Sequence, residues 1–123
     1  MSDPEGFERR VAQYAEWLLV NHFSEATAES KAKYLKALVA WCLDRGITRP
    51  VEVTRPILER YQGHLFHRLK ANGEPLSITS QRNHLTALKS FFAWMARSNY
   101  ALHNAASEIR APRLSRRLPK HVL

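Results

Sequence analysis

The stretch SITSQRNHLTALKSFFAWMARSN, residues 77–99, carries the strongest structural signal in the chain. Its large apolar residues recur every three or four positions, at Ile78, Leu85, Leu88, Phe92 and Met95. This spacing places them on one face of an α-helix, because residues three and four apart lie above one another. Ser77 can cap the first turn, since its hydroxyl can accept a hydrogen bond from a backbone N–H without a helical partner. The sequence therefore predicts a long amphipathic helix over residues 77–99.

Three segments upstream show the same periodicity. The first has apolar residues at spacings of four, three and four, namely Phe7, Val11, Tyr14 and Leu18. The second covers about residues 27–45. Ser24 or Thr27 can cap its N-terminus, and Gly46 suits a left-handed stop after its last turn. The third begins after Thr54, its natural cap, and its apolar residues are Leu58, Tyr61, Leu65 and Leu69. These segments predict three more amphipathic helices.

The connections between the predicted helices are short, so the sequence indicates an all-α bundle. A short fifth helix is predicted around residues 104–109, which makes the expected fold a four-to-five-helix bundle. The remaining residues, 110–123, contain five basic residues, two prolines and no acidic residue. We expect this basic segment to be an exposed linker rather than a packed element.

The charge of the chain is positive and unevenly distributed. Nineteen Lys and Arg residues against eleven Asp and Glu give a net charge of +8. Residues 75–123 hold eight of the basic residues and a single acid, Glu108. Clustered positive charge attracts polyanions, so this distribution favours a nucleic-acid partner. The alternative is an ordinary solvated face.

Signatures of enzyme chemistry are scarce. The four glycines are too scattered for a phosphate-binding loop, and the single cysteine, Cys42, lies within an apolar run that predicts a buried thiol. His64 and His67 have a metal-ligand spacing but no third ligand at a regular offset. We predict no catalytic residue, cofactor or metal site. The chain has no apolar run of membrane-spanning length and no signal peptide, so we expect a soluble, cytoplasmic protein.

Polar residues crowd the first two turns of the fourth predicted helix. They are Thr79, Ser80, Arg82, Asn83 and Thr86. Arginine and asparagine side chains suit base edges and hydroxyls suit phosphates, so this face is a candidate DNA contact. The second helix adds cations opposite its apolar stripe, at Lys31, Lys33 and Lys36. The alternative is a solvated helix face, since serine, threonine and asparagine are common near helix N-termini.

The order of these motifs resembles the N-terminal core-binding domain of tyrosine recombinases, of the phage-integrase or Xer type. The first part is Thr27-x6-Tyr34-x3-Leu38-x2-Trp41-x4-Gly46, followed by Val53-Thr54 and by Tyr61 with Leu65. The second part is Leu76-Ser77-x-Thr79-x5-Leu85-x2-Leu88-Lys89-x-Phe91-Phe92-x-Trp94. Asn104-Ala105-Ala106 stands where the family often has Asn-Pro-Ala, a mild departure. The resemblance covers almost the whole chain.

The resemblance implies a SAM-like bundle of two helical hairpins that forms half of a C-shaped clamp on double-stranded DNA. Its second and fourth helices would approach the major groove. Residues 1–109 would be this domain, and residues 110–123 a linker to a catalytic domain that the chain lacks. The implied partners are duplex DNA, that catalytic domain and a recombinase tetramer. The predicted DNA contacts are Lys33, Lys36, Thr79, Ser80, Arg82, Asn83, Lys89, Arg113, Arg116 and Arg117.

Two other functions are compatible with the same residues. A helical protein-interaction module could use the basic face to bind an acidic partner. A small enzyme is a third alternative, and the absence of a convergent polar constellation disfavours it.

Overall fold

Four α-helices account for most of residues 3–70 and 72–110, which a computed structural model of the chain describes. They are α1 (Phe7–Val20), α2 (Glu25–Asp44), α3 (Arg55–His67) and α4 (Ile78–Arg97). One turn of 3₁₀ helix, Pro50–Glu52, lies between α2 and α3. No β-strand occurs within the described ranges, apart from an isolated bridge between Leu69 and Pro75. The prediction of an all-α bundle is confirmed.

The helix ends follow local chemistry. The hydroxyls of Ser24 and Ser77 accept hydrogen bonds from backbone N–H groups one turn later, at 3.0 and 3.1 Å. Thr54 occupies the equivalent position before α3, but its side chain makes no capping bond. After α2, Gly46 has a φ of +78°, a left-handed conformation that suits glycine because it has no Cβ. At the start of α2, the Ser24 hydroxyl accepts its hydrogen bond from the Thr27 N–H, so Ser24 rather than Thr27 is the cap of this helix.

The hydrophobic core is centred on α4, which packs against the other three helices. Nine of its residues are buried, more than in any other helix described. The apolar residues that were predicted to face inward on α1 are all buried, as are Leu58, Tyr61 and Leu65 on α3. Burial of such side chains stabilises a fold by roughly 1.5–3 kcal/mol each, so this shared core holds the bundle together.

Two residues at helix ends do not follow the predicted stripes. Leu69 is 60% exposed, because α3 ends at His67 and Arg68 has an extended conformation. The chain then turns back, and the Arg68 carbonyl accepts a hydrogen bond from the Leu76 N–H at 3.1 Å. Ile78 is 47% exposed, because it is the first residue of α4 and lies outside the packed part of that helix. The predictions that Leu69 and Ile78 face the core were wrong.

The segment after α4 packs on the bundle without forming a helix. Residues 105–108 form turns, stabilised by a hydrogen bond from the Ala106 N–H to the Asn104 side chain at 2.9 Å. Ala106 and Ile109 are nevertheless almost completely buried. The predicted fifth helix was therefore wrong, although its apolar residues do belong to the core. The boundary between a domain and a linker near residue 110 stays a prediction, since residues 111–123 lie outside the described part.

Candidate nucleic-acid interface

A shallow groove runs between α2 and α4, and we call it the α2–α4 groove. Its walls are formed by Ala26, Thr27, Ser30, Lys31, Tyr34, Asn83, Thr86 and Ala87. The Asn83 side-chain amide donates to the Tyr34 hydroxyl at 3.5 Å and so connects the two helices. The polar face predicted on the fourth helix and part of the basic face predicted on the second therefore meet at one surface.

On the α4 side, Thr79, Asn83 and Thr86 are exposed. Their spacings of four and three residues place them along one outward face of the helix. Ser80 is half-buried, and its backbone N–H is the one that Ser77 caps. Arg82 is also half-buried. Three of the five predicted polar residues are therefore exposed to solvent, and the other two are partly buried.

On the α2 side, the cations point in different directions. Lys33 is exposed, and its ammonium nitrogen lies 5.9 Å from the centre of the Tyr34 ring, beside the α2–α4 groove. Lys31 is half-buried and lines the groove. Lys36 instead lines a second, largely apolar groove between α1 and α2, next to Val39. The three lysines that the sequence grouped together are therefore divided between two sides of α2.

Lys89 has a structural contact. Its ammonium group donates a hydrogen bond to the Ile109 carbonyl, which joins α4 to the packed segment after it. A role for Lys89 at a phosphate stays a prediction, and the function proposed below does not use it. Arg113, Arg116 and Arg117 lie outside the described residues.

His84 lies below the α2–α4 groove and was missed in the sequence. It is 8% exposed, and its ring meets the Tyr34 ring edge-on at 4.7 Å between centres. Burial, with smaller contributions from the charges of Arg68, Lys33 and His64, lowers the pKa of His84 to about 4. The side chain is therefore neutral at neutral pH. A signal was available, because His84 precedes Leu88 by four residues and belongs to the same helical face.

The described residues include no group of three or more His, Cys, Asp or Glu side chains that could hold a metal ion. His64 and His67 are both exposed. Cys42 is fully buried, and burial raises the pKa of its thiol to about 11, which keeps it protonated. Burial also raises the pKa of Tyr61. No helix within the described ranges is both long enough and apolar enough to cross a membrane.

The structure defines an all-helical bundle with a polar and basic surface between two of its helices. Residues 8–102 match the family described as phage integrase, N-terminal SAM-like domain. The match covers more than half of the chain, and the chain belongs to this family. The resemblance found in the sequence is confirmed.

Relatives and a solved structure agree with this assignment. The chain is 43% identical over 115 residues to tyrosine recombinase XerC 2 of Ralstonia nicotianae, covering 94% of this chain and 33% of that protein. It is 27% identical over 97 residues to tyrosine recombinase XerC of Xylella fastidiosa strain 9a5c, covering 79% and 31%. The chain thus spans about a third of the length of these relatives.

A crystal structure of the N-terminal domain of a phage integrase/site-specific recombinase from Haloarcula marismortui has a similar fold. It superposes with a TM-score of 0.73 at 20% sequence identity, over 87% of this chain and 96% of that one. At this identity the likeness concerns the fold, which is that of an integrase N-terminal domain.

Proposed function

We propose that this chain is the DNA-binding domain of a site-specific tyrosine recombinase, and that it positions the parent enzyme on its recombination site. The observation that carries the proposal is the α2–α4 groove. None of the eight residues that line it is acidic, although eleven acids occur in the sequence. Exposed hydroxyl, amide and ammonium groups meet there on two rigid helices, which is the chemistry that a DNA groove requires.

Polar side chains in the groove and beside it have chemical roles in this proposal. The major groove of B-DNA admits an α-helix, and α4 would enter it with its N-terminal half. Asn83 can pair with an adenine through its amide, and Arg82 with a guanine. Thr79 and Thr86 can donate to phosphate oxygens, and Lys33 adds a cation. At 3.5 Å the Asn83–Tyr34 hydrogen bond is weak, so Asn83 can exchange it for a base at little cost.

The parent protein would supply the rest of the reaction. The relatives are named tyrosine recombinases and are about three times as long as this chain. A catalytic domain would follow the basic segment 110–123, and that segment, with Arg113, Arg116 and Arg117, would follow the DNA backbone towards it. We propose that the parent acts in the cytoplasm, where it assembles as a tetramer on DNA.

The proposal is tested by selecting duplexes from a random library on the chain and measuring affinities for a selected and a scrambled duplex. We expect Asn83→Ala to reduce the preference for the selected duplex by roughly 5- to 150-fold, since a bidentate base contact discriminates by about 1–3 kcal/mol. Lys33→Ala should weaken both duplexes about equally. Thr48→Ala is the control, because Thr48 is exposed on the loop after α2, outside the groove.

Two outcomes would contradict the proposal. One is the absence of duplex binding at low salt, where electrostatic attraction is strongest. The other is equal competition by heparin and by duplex DNA, together with no effect of Asn83→Ala on sequence preference. That second result would favour a protein-interaction module with a generic basic face.

A further inference from the structure

Two exposed side chains, Arg45 and His64, lie close to Trp41 near the end of α2. The Arg45 guanidinium carbon lies 4.2 Å from the centre of the Trp41 ring, and an Arg45 nitrogen donates to the Trp41 carbonyl at 3.0 Å. His64 of α3 lies 6.2 Å from the Trp41 ring centre and stacks on Tyr61 at 5.8 Å. Arg45 and His64 are both exposed, whereas Trp41 and Tyr61 are buried beneath them.

Arg68 connects this cluster to the α2–α4 groove. It follows α3 directly, and the hydrogen bond from the Leu76 N–H to its carbonyl keeps it beside the start of α4. Burial and, after it, the charge of Arg68 lower the pKa of His64 and that of His84 below the groove. The charge of Lys33 acts on His84 as well. Arg45, Arg68 and Lys33 are exposed cations near the His64 and His84 rings, and we call these three residues together with exposed His64 the basic arc. The lowered pKa of His64 keeps its ring mainly neutral at neutral pH, so the charge of the arc comes from the other three residues.

Carboxylates do not neutralise the basic arc. In the part of the chain that the structure describes, the ion pairs join Arg49 to Asp3 and Glu5, and Arg55 to Glu59. None of these pairs includes a cation of the arc. The charged groups that act on His64 are Arg68 and Arg45, and both are positive. Three exposed cations without a carboxylate partner, Arg45, Arg68 and Lys33, repel one another, and an external anion would relieve that repulsion.

We propose that the basic arc binds phosphates of one DNA strand while the α2–α4 groove faces the bases. The inference rests on the proposed function, because it takes duplex DNA as the ligand of the groove. A guanidinium group suits this role, since its planar N–H groups match the geometry of phosphate oxygens. Trp41 would hold the Arg45 guanidinium in place, which lowers the entropy lost when a phosphate binds.

The test measures the affinity of the full chain for a duplex as a function of salt concentration. We expect Arg45→Gln and Arg68→Gln each to reduce the slope of log Kd against log salt by about 0.9, the value for one phosphate contact. At fixed salt the affinity should fall roughly two- to fivefold, as for an exposed charge pair. Arg9→Gln is the matched control, since Arg9 is exposed near the start of α1, at a separate pocket formed with Leu43 and Thr48.

The second measurement follows the His64 side chain by NMR. Partial burial and the charges of Arg68 and Arg45 lower its pKa in the free protein. A phosphate on the arc would oppose those charges, so the pKa of His64 should rise when saturating duplex is added. Tyr61 packs on His64, and burial together with the charge of Arg68 also lowers the pKa of His84.

The outcomes separate the two proposals. If the unaltered chain does not bind duplex DNA at low salt, the proposed function fails and the basic arc fails with it. If the unaltered chain binds duplex DNA, but Arg45→Gln and Arg68→Gln show the same slope of log Kd against log salt as Arg9→Gln, only the proposal of the basic arc is contradicted. An unchanged His64 titration in saturating duplex contradicts the arc in the same way, without affecting the role of the α2–α4 groove.

Discussion

Replacing His84 with glutamine should make the stability of the bundle less dependent on pH between 7.5 and 5. The folded pKa of about 4 lies below the ordinary value of 6.5, so the unfolded chain takes up a proton first as the pH falls. Stability is therefore full above pH 6.5 and is lost progressively as the pH falls towards 4. For these two pKa values the loss at pH 5, relative to pH 7.5, is at most about 2 kcal/mol.

Urea denaturation followed by circular dichroism measures this loss directly. The unaltered chain should lose up to about 2 kcal/mol of unfolding free energy between pH 7.5 and 5, and His84→Gln should lose clearly less. His67→Gln is the control, because it removes an exposed histidine of α3 and leaves buried His84 in place. The pKa of His64 is also lowered, so a small residual dependence is expected in His84→Gln. Equal losses in the His84 and His67 variants would refute the assignment of the effect to His84.

Three further predictions concern stability and can be measured by the same urea denaturation at pH 7.5. Ile109→Ala should cost about 2–4 kcal/mol because Ile109 is 1% exposed, and a loss below 1 kcal/mol would mean that the closing segment is not packed. Ser24→Ala and Ser77→Ala should each lower the free energy of unfolding by about 1 kcal/mol, because each removes a capping hydrogen bond. Thr54→Ala removes no capping bond and should cost less, so a larger loss in Thr54→Ala than in the serine variants would contradict the assigned caps. Gly46→Ala should cost about 1 kcal/mol, because an alanine with a φ near +78° is strained even though its Cβ would have space. A Gly46→Ala variant more stable than the unaltered chain would exclude the left-handed conformation at this position.

The helices could be predicted because each has one buried face and one exposed face. Apolar residues at helical spacing identified α1 through α4, and Ser77 located the start of α4. For α2 the sequence left Ser24 and Thr27 open as caps, and the helix begins at Glu25, two residues before the predicted start. The errors lie at the ends, where burial depends on where the chain turns rather than on periodicity. Leu69 follows the last turn of α3, and Ile78 precedes the packed turns of α4. Ala106 and Ile109 were predicted to lie in a helix because their spacing of three residues fits a helix. The same spacing also fits the turns that bury both residues in the structure.

The candidate site could be predicted only in part. Residue type predicted an exposed polar face at Thr79 and Asn83, and both are exposed, since a polar helix face can be recognised without knowledge of its neighbours. Their contact with DNA stays a prediction. The directions of Lys36 and Lys89 depend on which helix packs on which side, and a single sequence does not contain that information. The basic arc combines Arg45, His64 and Arg68, which come from separate parts of the chain and meet through the packing of α2, α3 and the turn before α4. Their proximity could not be derived from spacing.

If the chain binds DNA as proposed, the central position of α4 makes DNA affinity and stability separable. One side of the helix is fixed by contacts with α1, α2 and α3, and buried Gln81 adds a hydrogen bond to the Leu76 carbonyl at 3.1 Å. The opposite side carries Thr79, Asn83 and Thr86, which are exposed and contribute little to the core. A recognition surface on a packed helix loses less entropy on binding than one on a mobile loop, because the helix backbone is already fixed by the buried face. Substitutions at the three exposed positions should therefore change DNA binding with almost no change in unfolding free energy, and substitutions at Gln81 or His84 should do the opposite.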